Sequence, residues 1–473
     1  LSEPPSSMYL CSESNSSSLS RQPDTTLPAD PPAITVTGGF RRFHLHRYRS
    51  PRALMSPRAL LISMSEELSC DPLYVGCRDN MGDEDTLYTI TEADLDSGLR
   101  GVPVGTCRTS YVDPIEGVHY VGYPVGDLAN LEEEDVIYLL MHKHLPTPEE
   151  SKAFHAELAQ RAEEIPTGAL RVLESLTPGS GHPMDWLAIG IMALGTADTH
   201  ARRPGNARAD AMNLIARMPE LMARIFLLRG GKSGELRPRK PELGLVENFV
   251  HMLGIEGAEA ERMERMLRFF FILHMDHGGG NLSTFSGKAV ASGRASIYVS
   301  IASAMNALSG PLHGRANQAC LEFVQRIGTS DPDEIEAFVR SELAARRPIY
   351  GFGHGVLRAE DPRARLLIEL GKEICPDDEN FRIATALREV VPPILKEIPK
   401  ISNPYPNVDL VSGSLLHSAG FQKPDYYTTF FGWARVAGIC AQILDERSAR
   451  DGRGTPIYRP KYIPRDQPHQ RLE

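Results

Sequence analysis

The chain has 473 residues, a mass of 52.2 kDa and a net charge of −10. With 41% hydrophobic and 24% charged residues, it can bury a sizeable core over two or three domains of about 150 residues. An average field of this sign excludes bulk attraction to nucleic acid or an anionic membrane, while leaving room for a local cationic pocket.

Residues 1–63 stand apart, with twelve Ser, eight Pro, seven Arg, no Lys and four acids. SESNSSSLS (12–20) is of low complexity, and SPRALMSPRAL (50–60) repeats itself. Such a segment buries too little apolar surface to offset its ordering entropy. Three readings stand. It is a disordered tail; or a targeting peptide, because Ala33 to Ser65 holds several Arg and no acid, as mitochondrial presequences do; or upstream sequence foreign to the product, because the chain opens on Leu1 and Met64 begins an ordinary segment, MSEELS. The expected compartment is the cytoplasm, with the mitochondrial matrix as the alternative if residues 1–63 are a presequence.

From about Thr86 the chain reads as folded. Short alternating runs broken by Gly and Pro over 86–125 predict small strands and turns. LEEEDVIYLLMHKHLP (131–146) has an acidic start, an apolar stripe and a closing Pro, and Thr147 and Glu150 are spaced as a capping box. Helical patterns follow at 184–194, 208–230, 258–275, 288–308, 315–327, 332–346, 379–397 and 426–448. The chain is therefore expected to be mostly α, with large helices and short Gly/Pro-rich joints. Small residues over 287–310 allow close helix approach, in the core or at an oligomer interface. The seven cysteines are scattered and never at CxxC spacing, which excludes a zinc ribbon and argues for reduced thiols. The longest apolar stretch, near Met266–Met275, is broken by Arg268 and falls well short of the ~20 residues of a membrane span.

The chemistry lies in the joints. His277 stands in HMDHGGGN, His313 in GPLHGRAN and His354 in GFGHGVLRAEDPRAR, each followed by Gly at the edge of a helical pattern. Singly, each reads as a capping or hydrogen-bonding residue sooner than as a catalyst. GFGHG lacks the Walker spacing, and HMDH lacks the donors of an HExxH zinc site. Arg358, Arg363, Arg435 and Arg459 could bind carboxylates bidentately if they converge, and each alone reads as a surface charge. Asp409, between apolar neighbours in YPNVDLVSG, is a candidate buried carboxylate with a raised pKa and hence a general base.

Taken together, HMDHGGGNLS, GPLHGRANQ, GFGHGVLRAEDPR, NPYPNVDLVSG, FFGWARVAG and IYRPK, in this order over about 98–465, resemble the citrate synthase family and most closely its dimeric branch. The resemblance implies condensation of acetyl-CoA with oxaloacetate and water to citrate and CoA through an enol(ate) and citryl-CoA, at the entry to the tricarboxylic acid cycle. It implies Asp409 as base, His313 as stabiliser of the enol and His354 as the group polarising the ketone. Arg363, Arg435 and Arg459 would hold the dianion, with hydrogen bonds from His277 and Asn281 and a wall from Phe431. Arg358, helped by the Gly351 and Gly353 backbone, would meet the CoA phosphates. No metal or redox cofactor is implied, since the CoA thioester is a substrate. A homodimer is implied, with Arg459 reaching the neighbouring subunit's site.

The implied fold is a large helical domain (98–313 and 420–465) with an inserted small helical domain (314–419). Residues 64–97 lead in, 466–473 form a tail, and minor strands lie near the N-terminus. Three positions depart from the family pattern: Gly278, where Glu is frequent, Arg315 and Gly355. The rival activities are 2-methylcitrate synthesis from propionyl-CoA, a non-catalytic family member, and a nucleotide-dependent ligase. One methylene is worth only ~1–3 kcal/mol of discrimination, so the acyl preference stays open. No triad residue is lost, and no motif or room exists for a nucleotide domain.

Overall fold

The computed structural model describes residues 87–162, 165–197, 206–231 and 236–463. Expectations for residues 1–63, most of the lead-in and the 466–473 tail lie outside these. The chain divides at Thr89/Ile90, and every element below belongs to 90–473.

After a short 3-10 helix (Glu92–Asp96) come three short strands, β1 (Ser110–Asp113), β2 (Gly117–Tyr120) and β3 (Tyr123–Pro124), antiparallel in the order β1-β2-β3. Tyr111 pairs with His119 across the β1–β2 hairpin. Asp113 Oδ1 accepts from the amides of Ile115 and Glu116, both at 2.8 Å, so its side chain builds the turn. Among the described residues, the regular elements that follow are helices, with one bridge between Phe352 and Pro406. Thr147 and Glu150 form the expected capping box on Pro148–Arg161.

The Tyr427–Ser448 helix is the axis of the core. It is buried from Tyr427 to Ile443 except at Phe431, because its apolar and small residues leave no polar face over that length. Pro183–Ala197, Ala207–Arg229, Gly257–His274, Leu282–Ser292 and Ile297–Leu308 pack around it. A second group, Ala316–Ile327, Pro332–Ala344, Pro362–Ile374 and Glu379–Lys396, packs about or beside Asp409–Ser418.

The helix expected over 288–308 is two. Leu282–Ser292 ends at Gly293, Arg294 takes a left-handed conformation (φ 64°), and Ser296 Oγ caps Val299 to start Ile297–Leu308. The two halves form a tight hairpin that an unbroken run of small residues concealed. Helices Thr167–Glu174, Leu245–Met252, Pro362–Ile374 and Asp409–Ser418 were not legible as such.

Glu133 and Glu134 are buried and cap Leu245–Met252 by accepting from the amides of Val246 (3.0 Å) and Leu245 (2.7 Å). Among the described residues, Glu132, Glu133 and Glu134 form the one group of acids close enough to share a cation. Arg268 already bridges Glu132 and Glu133, at 3.2 and 3.1 Å. Cys107, Cys320, Cys375 and Cys440 are free thiols. No described helix is long and apolar enough to cross a membrane.

Candidate active site

The joints bring most of the expected residues together. Arg363 is an electrostatic neighbour of His277, His354 and Asp409, and Arg435 of His277 and His313. The His277 and His354 rings lie 5.3 Å apart.

His313 follows Ile297–Leu308 in a turn. Its Nε2 accepts from the Ser283 amide at 3.2 Å and lies 3.1 Å from Ser283 Oγ. A ring nitrogen that accepts carries no proton, so the proton sits on Nδ1 and the imidazole is neutral. Burial, then the charge of Arg435, lowers its pKa to about 4. The positive end of the Leu282–Ser292 helix at Ser283 acts in the same direction.

His354 shows the same logic with the nitrogens exchanged. Its Nδ1 accepts from the amides of Val356 and Leu357, both at 3.0 Å, which leaves Nε2–H to donate. Burial and Arg363 lower its pKa to about 4. Burial, then Arg363 and Arg435, hold His277 well below the usual imidazole range. All three imidazoles are therefore neutral near pH 7.

Asp409 opens the Asp409–Ser418 helix, and its amide donates to Asn407 Oδ1 at 2.9 Å. Burial raises its carboxyl to about 6, with Arg363 opposing. Asp409 was read as a joint residue, and it is instead the first residue of a helix that sequence periodicity missed.

The two loops carrying His354 and Asp409 clasp each other. Gly353 N–H donates to Tyr405 O (3.0 Å), the Asn407 amide donates to Gly351 O (2.9 Å), and Asn407 Nδ2 donates to Gly353 O (2.9 Å). The clasp takes the Gly353 amide and the carbonyls of Gly351 and Gly353, and the Gly351 N–H has no part in it. Arg358 is exposed, with Nη1 donating to the carbonyls of Val356 and Leu357 at 2.9 and 2.8 Å.

Gly351 shows why the clasp needs glycine. It has φ +83°, and a Cβ there would lie 2.8 Å from Leu410 Cα, beside Asp409. Gly351→Ala is expected to destabilise by about 1–3 kcal/mol and to displace Asp409. Gly355→Ala meets nothing within 4 Å and is the neutral control. Thermal denaturation of the two variants checks this, and equal melting temperatures would contradict it.

The two buried arginines differ. Arg363 forms a bidentate pair with Asp361, Nη2–Oδ2 2.7 Å and Nε–Oδ1 3.0 Å, both side chains almost fully buried. Asp361 also caps Pro362–Ile374 through the Arg363 amide. Arg435 has no such partner. Its Nε donates to His274 O at 3.0 Å, its guanidinium lies 4.8 Å over the Phe431 ring, and its buried Nη1 has no hydrogen-bond partner. Burial lowers its pKa to about 10.

Asn281, expected to hydrogen-bond the dianion, is engaged locally. Its Oδ1 accepts from the Thr284 amide and Ser283 Oγ, and its Nδ2 donates to His277 O, Gly278 O and Thr284 Oγ1. It thus caps Leu282–Ser292 and shapes the His277 loop. Arg459 lies exposed on the C-terminal segment, beside Tyr458, whose hydroxyl donates to Glu446 at 3.1 Å. Gly278 is in the left-handed conformation (φ 67°), which suits Gly over a residue with a Cβ. Arg315 Nε donates back to Ser309 O at 2.7 Å.

Sequence reading missed Asp361, Ser283, Asp276 and Tyr120. Asp361 and Ser283 lie inside motifs already singled out, so their signal was adjacency. Tyr120 had no local signal. The assembly offers one carboxylate poised near neutrality, neutral imidazoles of which His313 and His354 carry the proton at assigned nitrogens, and buried guanidinium charge. That set can remove a proton beside a carbonyl and bind an anion.

Residues 98–461 match the family described as citrate synthase, C-terminal domain. The chain is 35% identical over 395 residues to "Citrate synthase 5, mitochondrial" of Arabidopsis thaliana, spanning 78% of this chain and 82% of that protein. It is also 35% identical over 392 residues to "2-methylcitrate synthase, mitochondrial" of Yarrowia lipolytica, spanning 77% and 82%. Among solved structures, citrate synthase from Thermotoga maritima aligns with a TM-score of 0.67 at 32% identity, over 79% of this chain and 97% of that one. The mostly helical architecture agrees with these matches, and the chain belongs to the citrate synthase family of acyltransferases.

Proposed function

We propose that the chain condenses acetyl-CoA with oxaloacetate and water to give citrate and CoA. The observation that carries this reading is Arg435, a buried guanidinium with an unpartnered Nη1 amid neutral imidazoles and a poised carboxylate. Buried unpaired charge is costly, and a bound carboxylate compensates it.

The Asp409 carboxylate removes a methyl proton from the thioester. His313 donates from Nδ1–H to the thioester oxygen and stabilises the enol(ate). The enol carbon attacks the ketone carbon of oxaloacetate, while His354 donates a hydrogen bond from Nε2–H that polarises the ketone and steadies the forming alkoxide; the proton taken up by Asp409 balances the one the alkoxide gains as citryl-CoA forms. Water then hydrolyses the citryl-CoA thioester. Arg363, Arg435 and His277 hold the dianion against Phe431, and Arg358 meets the CoA phosphates once it turns from its loop carbonyls. No resident metal or redox group is needed.

Residues 314–419 act as a small domain that closes over both substrates and excludes water. Its helices packing on one another supports this. A homodimer, with Arg459 serving the neighbouring site, completes the proposal. Mitochondrial names among the relatives support the presequence reading of residues 1–63, and a fusion of that segment to a reporter protein decides the compartment.

The test is CoA thiol release with oxaloacetate, comparing acetyl-CoA and propionyl-CoA. Higher kcat/KM for acetyl-CoA is expected. A preference for propionyl-CoA moves the chain to 2-methylcitrate synthesis, the activity named for the Yarrowia lipolytica relative. Release from neither thioester overturns the reading.

A further inference from the structure

The last carbonyls of a helix have no partner within it and carry the negative end of its dipole. At the end of Gly257–His274, three consecutive carbonyls are each met by a donor from a different element. Ile272 O accepts from the Tyr120 hydroxyl of β2 at 2.9 Å. Leu273 O lies 3.5 Å from Arg363 Nη1 of Pro362–Ile374, a long contact. His274 O accepts from Arg435 Nε of Tyr427–Ser448 at 3.0 Å. The helix end therefore holds Arg435 directly and touches Arg363, which Asp361 positions, and Tyr120 anchors that end.

Tyr120 does more than fill space. It is fully buried, and its hydroxyl also accepts from the Asp276 amide at 3.1 Å. Asp276 in turn accepts from the His277 amide (2.8 Å), Thr109 Oγ1 (2.6 Å) and Gln442 Nε2 (2.7 Å). One hydroxyl thus ties the helix end that holds Arg435 and borders Arg363 to the loop that carries His277. Burial pushes its pKa upward, so it remains a neutral donor and acceptor near Asp276, Arg363 and Arg435.

We infer that Tyr120 is a positioning residue for dianion binding, acting through the end of Gly257–His274 and through Asp276 rather than by touching substrate. The inference rests on the proposed reaction. Tyr120→Phe keeps the buried ring and removes only the anchor. It leaves Ile272 O and the Asp276 amide unpaired, so Arg435 and the His277 loop lose their common reference, while Asp361 still holds Arg363.

The expected result is a selective one. KM for oxaloacetate rises about tenfold, while KM for the acyl-CoA and kcat change less than twofold. A ring that only fills the core would lower the melting temperature without this split between the two KM values. Tyr111→Phe, at an exposed position on the same hairpin, is the unchanged control. Should Tyr120→Phe not fold, Thr109→Val weakens the same Asp276 anchor and is expected to show the same selective rise. An unchanged oxaloacetate KM, or an equal rise for both substrates, overturns the inference while wild-type turnover leaves the reaction standing. Absence of turnover in the wild type overturns the reaction, and the inference with it.

Discussion

Asp409→Asn is expected to lower kcat by about 10²–10⁴-fold, the range that a positioned general base supplies. The substitution keeps the shape of the side chain and removes its ability to accept a methyl proton. The pH profile sharpens the test. Asp409 must be ionised to act, and its folded-state pKa is about 6, so kcat/KM of the wild type should fall as pH drops through about 6. His313 and His354 stay neutral down to about 4, so they do not set this limb.

Stability should move the other way. A carboxyl whose pKa is raised by folding contributes stability that is full below its unfolded value of 3.8 and lost as pH rises through about 6. At pH 7 the wild type therefore holds a strained carboxylate, and Asp409→Asn should melt no lower than wild type, and higher if relief dominates. Such opposition of stability and activity marks a site built for chemistry. An acid limb unchanged in the variant, or full activity without the carboxylate, would place the base elsewhere.

The legible parts of this molecule are those with local causes. Helical periodicity located the long helices, because each carries its own apolar stripe. The Thr147 capping box was visible because both partners lie within four residues. The His277, His313 and His354 joints were visible because each puts Gly beside His at the end of a pattern. What escaped had causes far away in the chain. Tyr120 and Ile272 are 152 residues apart, Arg363 and Leu273 are 90, and Arg435 and His274 are 161. No spacing rule reports such pairs. Asn281 shows a related limit. A polar residue in a glycine-rich joint can face a ligand, cap the next helix or do both, and the five hydrogen bonds that make it a cap tie it to His277, Gly278, Ser283 and Thr284. The break at Arg294 escaped because small residues continue on both sides of it, and only the backbone turn separates the helices.

Arg363→Met and Arg435→Met should both raise KM for oxaloacetate steeply, by about 30- to several-thousandfold if each loses about 2–5 kcal/mol of charge pairing. They should differ sharply in stability. Arg363 neutralises Asp361, which is fully buried and bonded to it twice. Removing Arg363 strands that carboxylate, a change that costs about 3–5 kcal/mol. A second substitution, Asp361→Asn, should then recover much of the lost stability, because Asn can still cap Pro362–Ile374, and should recover none of the binding.

Arg435 has no carboxylate bonded to it, and burial already lowers its pKa to about 10. Its charge is a burden on the folded state without ligand, offset in part by the bond to His274 O, the contact with Phe431 and the nearby charge of Asp276. Arg435→Met should therefore melt near the wild type or above it, and lose the upward shift that oxaloacetate gives the wild type. Differential scanning fluorimetry with and without oxaloacetate separates the two cases. If both variants melt equally low, Arg435 holds the core as Arg363 does, and the case for its unpartnered Nη1 as the anion contact falls. If they part as expected, one guanidinium is the brace of the site and the other is its receptor, although both stand at the same helix end.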